Sequence, residues 1–168
     1  MTETLPDPFP TPVVCPQREV RAEWVDYNGH MNMAYYSLAF DNALDHAYDL
    51  LGIGEGYVAA TGHSHFTLEA HVTYLREVRG GDPLSITWQL LDCDHKRLHF
   101  FEHMYHAHAG YLAATSEQIS IHVDMSSRRS APFPDHVQQA FARVLTAHRT
   151  LPPPPQLGHV IGIPGSPR

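Results

Sequence analysis

Cysteine is scarce: Cys15 and Cys93 are the only two in 168 residues. They lie far apart and outside any CxxC pair, which excludes a disulfide-stapled scaffold and predicts reduced thiols in a cytoplasmic protein. Charge is also thin. Charged residues make up 17% of the chain and the formal net charge is −7, which works against non-specific binding to nucleic acid. An anionic substrate met by a local basic patch stays open. No apolar run approaches the ~20 residues a bilayer-crossing helix needs, so no membrane partner is expected. The opening MTETLPDPFPTP carries acids and prolines where an export signal would carry a basic start and an apolar run. What remains, 43% apolar, fits one globular domain with a real core.

The chain divides into an extended lead-in over 1–16 set by Pro6, Pro8, Pro10 and Pro12, a domain over 17–148, and a proline-rich tail over 149–168. QREVRAEW at 17–24 predicts a short first strand. Met33, Tyr36, Phe40, Ala43, Leu44, Ala47 and Leu51 recur at helical spacing, with Asn32 as the natural N-cap and Gly52 as terminator. From residue 63 the period changes to 2. Phe66, Leu68, Ala70, Val72 and Tyr74 then form a core face. The opposite face, His65, Thr67, Glu69, His71, Thr73, Leu75 and Glu77, is polar but without lysine, which points to an interface or a pocket. Gly80 to Pro83, Asp94-His95 and Gly110 mark turns between strands over 84–92, 97–109 and 111–123, and 135–148 reads as a second helix ended by Pro152 to Pro155. A curved antiparallel sheet wrapped around one long central helix is the economical packing, an α+β fold. Its exposed edge and back face predict a homo-oligomer, a dimer or a dimer of dimers.

The densest chemistry lies just ahead of the long helix. Asp26, Asn28, His30 and Asn32 occur at every second position, with Gly29 allowing a tight turn among them. A carboxylate, amides, an imidazole and the free N–H groups of a helix start suit attack on a carbonyl and stabilisation of the oxyanion.

Asp26-Tyr27-Asn28-Gly29-His30-Met31-Asn32 followed by Tyr36, and Tyr74-Leu75-Arg76-Glu77 followed by Gly81-Asp82, resemble the motifs of hotdog-fold acyl-CoA thioesterases over about residues 17–148. Asp26, Asn28 and His30 also resemble the Asp-x-Asn-x-His arrangement of plant acyl-carrier-protein thioesterases, whose active-site glutamate matches Glu77. The chain departs from those enzymes at Val78, where they carry cysteine, so no cysteine role carries over and Asp26 is the centre of chemistry. The segments WVDYNGHM, HSHFTLEAH, DHKRLHFFEHM and ATSEQISIHVD resemble thioesterase domains that accompany bacterial L-carnitine dehydrogenases and resemble betainyl-CoA thioesterases.

The resemblance implies hydrolysis of a short polar acyl-CoA thioester without a cofactor, Asp26 acting as general base or nucleophile beside Asn28 and His30. Asn32 serves as cap or site residue. Oxyanion donors are expected from the long helix or from a 57–65 loop, there at Gly62, His63 or Ser64. Glu69, His71 and Glu77 are candidate pocket residues on one strand face. Trp24, Tyr27, Tyr36 and Phe66 are candidate walls for the acyl group, which for a trimethylammonium needs π faces and a carboxylate such as Glu69. Arg97, Arg128 and Arg129 are the candidate CoA-phosphate ligands. His63/His65 and His106/His108 lack a third ligand at recognised spacing, so no metal is expected.

Overall fold

A computed structural model describes residues 5–163. The long helix forms as its pattern predicts. Helix α1 (Met33–Leu50) buries Tyr36, Phe40, Ala43, Leu44, Ala47 and Tyr48 along one stripe, and the Asn32 side chain accepts the Ala34 N–H as its N-cap. Gly52, at φ 71°, lets the chain leave the helix, and the Ile53 N–H returns to the Tyr48 carbonyl.

The remaining elements are β1 (Val13–Val14), β2 (Arg18–Glu19), α2 (Glu55–Thr61), β3 (His63–Tyr74), β4 (Pro83–Cys93), β5 (Arg97–His106), β6 (Leu112–Asp124), β7 (Arg129–Ser130) and α3 (Asp135–His148). The strands make one antiparallel sheet in the order β1-β4-β5-β6-β3, with β2 beside β4 and β7 beside β6. Helix α1 lies against one face, giving the hotdog arrangement. Its Tyr48 ring meets Phe100 edge-on, and the Tyr48 hydroxyl is 2.9 Å from Ser120 Oγ. Trp88, Leu98, Phe100 and Met104 complete the core beneath it.

That inner face is not wholly apolar. Glu102 on β5 is fully buried and takes a 2.9 Å hydrogen bond from Gln118 Nε2. Burial pushes the Glu102 carboxyl well above the ordinary carboxylate range. Both cysteines are free, and burial, followed by the Glu102 charge, pushes the Cys15 thiol up to about 12.

Four expectations need correction. The 17–24 strand shrinks to Arg18–Glu19 plus a 3₁₀ turn over Ala22–Trp24, because only Val20 and Trp24 of that stretch are buried. The expected 57–65 loop holds α2 and the start of β3. The single polar face of β3 is broken by a bulge between Thr67 and Glu69. Ahead of that bulge His65 packs inward on Tyr48 while Phe66 is exposed; beyond it Ala70 and Val72 lie in a cleft against α1. Finally, the lead-in and the tail are tied down from Leu5 onward. Val13 and Val14 pair with β4, and the buried His148 ring accepts the Leu90 N–H and lies 2.9 Å from the Pro10 carbonyl. The tail crosses to the sheet's outer face, where the Gly158 N–H donates to Glu117 at 2.7 Å. Residues 1–4 and 164–168 of those two segments lie outside the described residues.

Since the Asn32 cap fixes the first turn of α1, Asn32→Ala is expected to cost about 1 kcal/mol. Urea unfolding checks this, with Asn32→Asp expected to retain most of the stability.

Candidate active site

The segment before α1 is a closed turn. The Asp26 N–H donates to the His30 carbonyl at 2.9 Å, the Gly29 N–H to the Asp26 carbonyl at 3.0 Å, and the Asn28 N–H to Asp26 Oδ1 at 2.8 Å. Gly29 sits at φ 80°, a backbone setting that a side chain would strain. Two further bonds moor the turn: Asn32 N–H to the Trp24 carbonyl at 2.9 Å, and Met31 N–H to the Val78 carbonyl at 2.8 Å. One Asp26 oxygen thus closes the turn, and Oδ2 takes no hydrogen bond among the described residues.

Beside this turn a cavity of about 340 Å³ opens at the start of α1, bounded by His30, Met33, Tyr36, Tyr74, Arg76 and Glu77. His30 Nε2 is 3.0 Å from Glu77 Oε2, and Arg79 Nη2 donates to Glu77 Oε1 at 3.0 Å. The Tyr111 hydroxyl holds the Glu77 carbonyl at 2.9 Å. Tyr36 and Tyr74 meet edge to face, with centroids 5.1 Å apart, and burial raises both phenols above their ordinary value, so each stays a neutral donor near pH 7. The Met33 N–H, first in the helix, has no acceptor among the described residues. The cavity therefore combines a carboxylate–imidazole pair, a free helix-start donor and aromatic walls.

The structure brings His30, Tyr36 and Glu77 together at this cavity, with Asp26, Asn28 and Asn32 in the adjoining turn and cap. It separates the others. Trp24 is buried, stacked on Tyr35 at 5.7 Å, whereas Tyr27 is 97% exposed. Glu69 and His71 open instead onto a cavity of about 510 Å³ on the sheet's outer face, with Arg97, His99 and Glu117. The bulge explains this, because it resets which residues of β3 face α1. Arg97 is held by Asp94 at 2.6 and 2.8 Å. Arg128 covers Phe66 at 5.4 Å, and Arg129 lies in β7.

Gly62, His63 and Ser64 lie at the far end of β3 from Tyr74. The Gly62 N–H closes α2 on the Val58 carbonyl and the His63 N–H donates to Thr61 Oγ1, so two of the three expected oxyanion donors are occupied within one chain, and Ser64 sits opposite Val123 in the β3–β6 ladder. The histidines there form a stack. His63 lies over His122 at 5.0 Å, and His65 packs between Tyr48 and Phe133. Among the described residues no group of three or more His, Cys, Asp or Glu is placed to hold a metal ion. No helix among them is long and apolar enough to cross a membrane. Sequence reasoning missed the Met33 N–H as a specific donor, although the Asn32 cap position implies a free amide there.

A family model described as the thioesterase-like superfamily matches residues 20–141. The chain belongs to that superfamily. A betainyl-CoA thioesterase of Pseudomonas aeruginosa is 43% identical over 145 residues, 86% of this chain and 91% of that protein. An L-carnitine dehydrogenase/betainyl-CoA thioesterase of Rhizobium meliloti is 38% identical over 86% of this chain, which spans 29% of that longer protein. Among solved structures, a Staphylococcus aureus protein in complex with CoA superposes with a TM-score of 0.84 at 32% identity, covering 91% of this chain and 96% of that one. The members of the thioesterase-like superfamily thus supply the reaction class, thioester hydrolysis, for which the cavity at the start of α1 is the candidate centre.

Burial, with the His122 charge second, lowers the His65 pKa to about 4 from an ordinary 6.5. The folded state then binds fewer protons than the unfolded state between those values, so this contribution to stability falls as pH drops from 6.5 to 4. Thermal melts across that range should show wild type losing stability on acidification, with a shallower loss in His65→Gln.

Proposed function

We propose that this protein hydrolyses an acyl-CoA thioester, with betainyl-CoA as its substrate and glycine betaine and CoA as products, in the cytoplasm and as a homodimer. The observation that carries the reading is the cavity at the N-terminus of α1, where the free Met33 N–H, the His30–Glu77 pair and the Asp26 turn adjoin. The thioester carbonyl would accept from Met33, whose N–H carries the positive end of the helix dipole toward the developing oxyanion. Asp26 would use Oδ2 to deprotonate water or to attack the carbonyl directly. Its other oxygen, held by the Asn28 amide, fixes the carboxylate's direction.

A second assignment on the same fold is favoured by one contact. Glu77, not Asp26, lines the cavity, and it holds the His30 imidazole at 3.0 Å. In that version Glu77 orients His30, which takes the proton from water. Asp26→Asn is expected to lower kcat by about 10²-fold or more with the fold intact, measured as thiol release from betainyl-CoA. An equal or larger loss in Glu77→Gln, with Asp26→Asn near wild type, would hand the base role to the His30–Glu77 pair.

The dimer reading is supported by β3. It is hydrogen-bonded on one side to β6, and its other edge carries no strand among the described residues. Phe66, Leu68 and Tyr74 expose 37%, 56% and 45% of their surface. A long edge of this kind is a template for pairing with a second copy. Two-fold pairing about the middle of β3 would set Gly62 to Ser64 of one copy beside Tyr74 of the other. Those residues would then complete the cavity in trans, and Asp26 would lose its contact with bulk water. Leu68→Lys should shift the protein to monomer in sedimentation velocity and abolish turnover; a wild type that is monomeric and active would refute this assembly.

A further inference from the structure

The C-terminal segment crosses the outer face of the sheet along a single row of opposed residues. Gln89 of β4, Phe101 of β5, Glu117 of β6 and His71 of β3 stand side by side in that row, on the face turned away from α1. Helix α3 ends at the β4 side, where Gln89 Nε2 donates to the His148 carbonyl at 3.5 Å. Over β6 the Gly158 N–H donates to Glu117 at 2.7 Å, and over β3 the His159 ring lies 5.7 Å from that of His71. Between the first and second of these anchors the segment spans two strand spacings, about 10 Å. It passes β5 at Phe101, which is 1% exposed although it faces away from the inner core, and its own Pro154 is buried.

This path has a direction. It runs from β4 toward β3, and β3 is the edge of the sheet. Residues 160–163 therefore continue past the last strand of their own chain, and four extended residues reach about 13 Å, or two to three strand spacings. Ile161 and Ile163 in this stretch are 84% and 80% exposed. In the two-fold pairing of β3 described above, His63 stands opposite Tyr74 of the second copy. His71 then stands opposite Phe66 of that copy, each being three residues from its end of the strand. Directly opposed residues share a face, whereas residues five apart in an unbroken strand point to opposite faces. The bulge between Thr67 and Glu69 changes the parity and puts Phe66 and His71 on the same outer face, so the register is consistent. Phe66 is 37% exposed beside the Arg128 guanidinium, and Ile121 of β6, partly exposed, stands next to it in the sheet. A straight continuation of the row past His71 thus meets an apolar pair on the second copy.

We propose that residues 160–163 form an arm that lies across the outer face of the partner subunit's sheet, with Ile161 seated on Phe66 of the partner subunit and Ile163 on Ile121 of the partner subunit. The two-fold makes the clasp reciprocal, so each dimer carries two arms. Burial of two isoleucines per arm removes the largest exposed apolar side chains of the tail from water. The assignment rests on the dimer through the β3 edge and adds the tail to that interface.

The test is a cross-link between copies. Two variants in a Cys93→Ser background, one with Ile161→Cys and the other with Phe66→Cys, are co-expressed with different tags and treated with a short bismaleimide. A covalent heterodimer is expected on a denaturing gel. Neither variant alone should link to itself, because the two-fold sets like positions about 17 Å apart along the strands. A protein that is dimeric in sedimentation velocity yet gives no covalent heterodimer overturns the arm and leaves the edge pairing intact. A monomeric wild type defeats the edge pairing, and the arm with it. Truncation after His159, and Ile161→Asp in the full chain, should each raise the dimer dissociation constant at least about tenfold, the scale of losing buried apolar anchors. Sedimentation on dilution reads this, with thermal melts checking that both variants stay folded. A dissociation constant unchanged in both also overturns the proposal.

Discussion

Two backbone hydrogen bonds at the foot of α1 set the position of everything in the candidate site. Asn32 N–H to Trp24 and Met31 N–H to Val78 hold the Asp26–His30 turn between the helix start and the 74–79 segment. Neither bond depends on side-chain identity, so the turn's geometry is fixed by the path of the main chain. The side chains that do chemistry are then mounted on a frame whose own polar groups are already satisfied, an arrangement that leaves their remaining oxygens and nitrogens free for a substrate.

The sheet's inner face shows the other side of that economy. A fully apolar floor would have stabilised the domain more simply, yet Glu102, Gln118, Ser116, Ser120 and His122 are buried there. Isolated buried polar atoms are costly; burial pushes the Glu102 carboxyl well above the ordinary carboxylate range, and Gln118 Nε2 donates both to it and to Ser116 Oγ. The polar strip lies beneath β6, where α1 and β3 leave a groove. Its location matches a surface that meets a polar ligand better than one that only packs a helix.

Much of this was legible in the residues alone, for reasons that differ by element. α1 announced itself through an uninterrupted apolar stripe bracketed by Asn32 and Gly52, and the β4–β5 and β5–β6 hairpins through Asp94-His95 and Gly110. α2 did not, because a seven-residue helix that buries none of its side chains has no apolar stripe to display. The pairing of His30 with Glu77 could only be seen in three dimensions, since a carboxylate distant in sequence must be carried back through α1, α2 and β3. Glu69 and His71 were placed at the site by alternation along β3, a rule that one extra residue in the strand suspends.

Leu68 is the extra residue between Thr67 and Glu69. By changing parity midway, the bulge lets a single strand present an imidazole to the core at one end and small aliphatic groups to the helix at the other, while Phe66 stays outside. A strand without it would carry the wrong half of its sequence inward whichever way it was laid down. Sequence drift in this protein is thus constrained at that point by length as well as by side chain: removal of one residue would turn the groove's walls inside out.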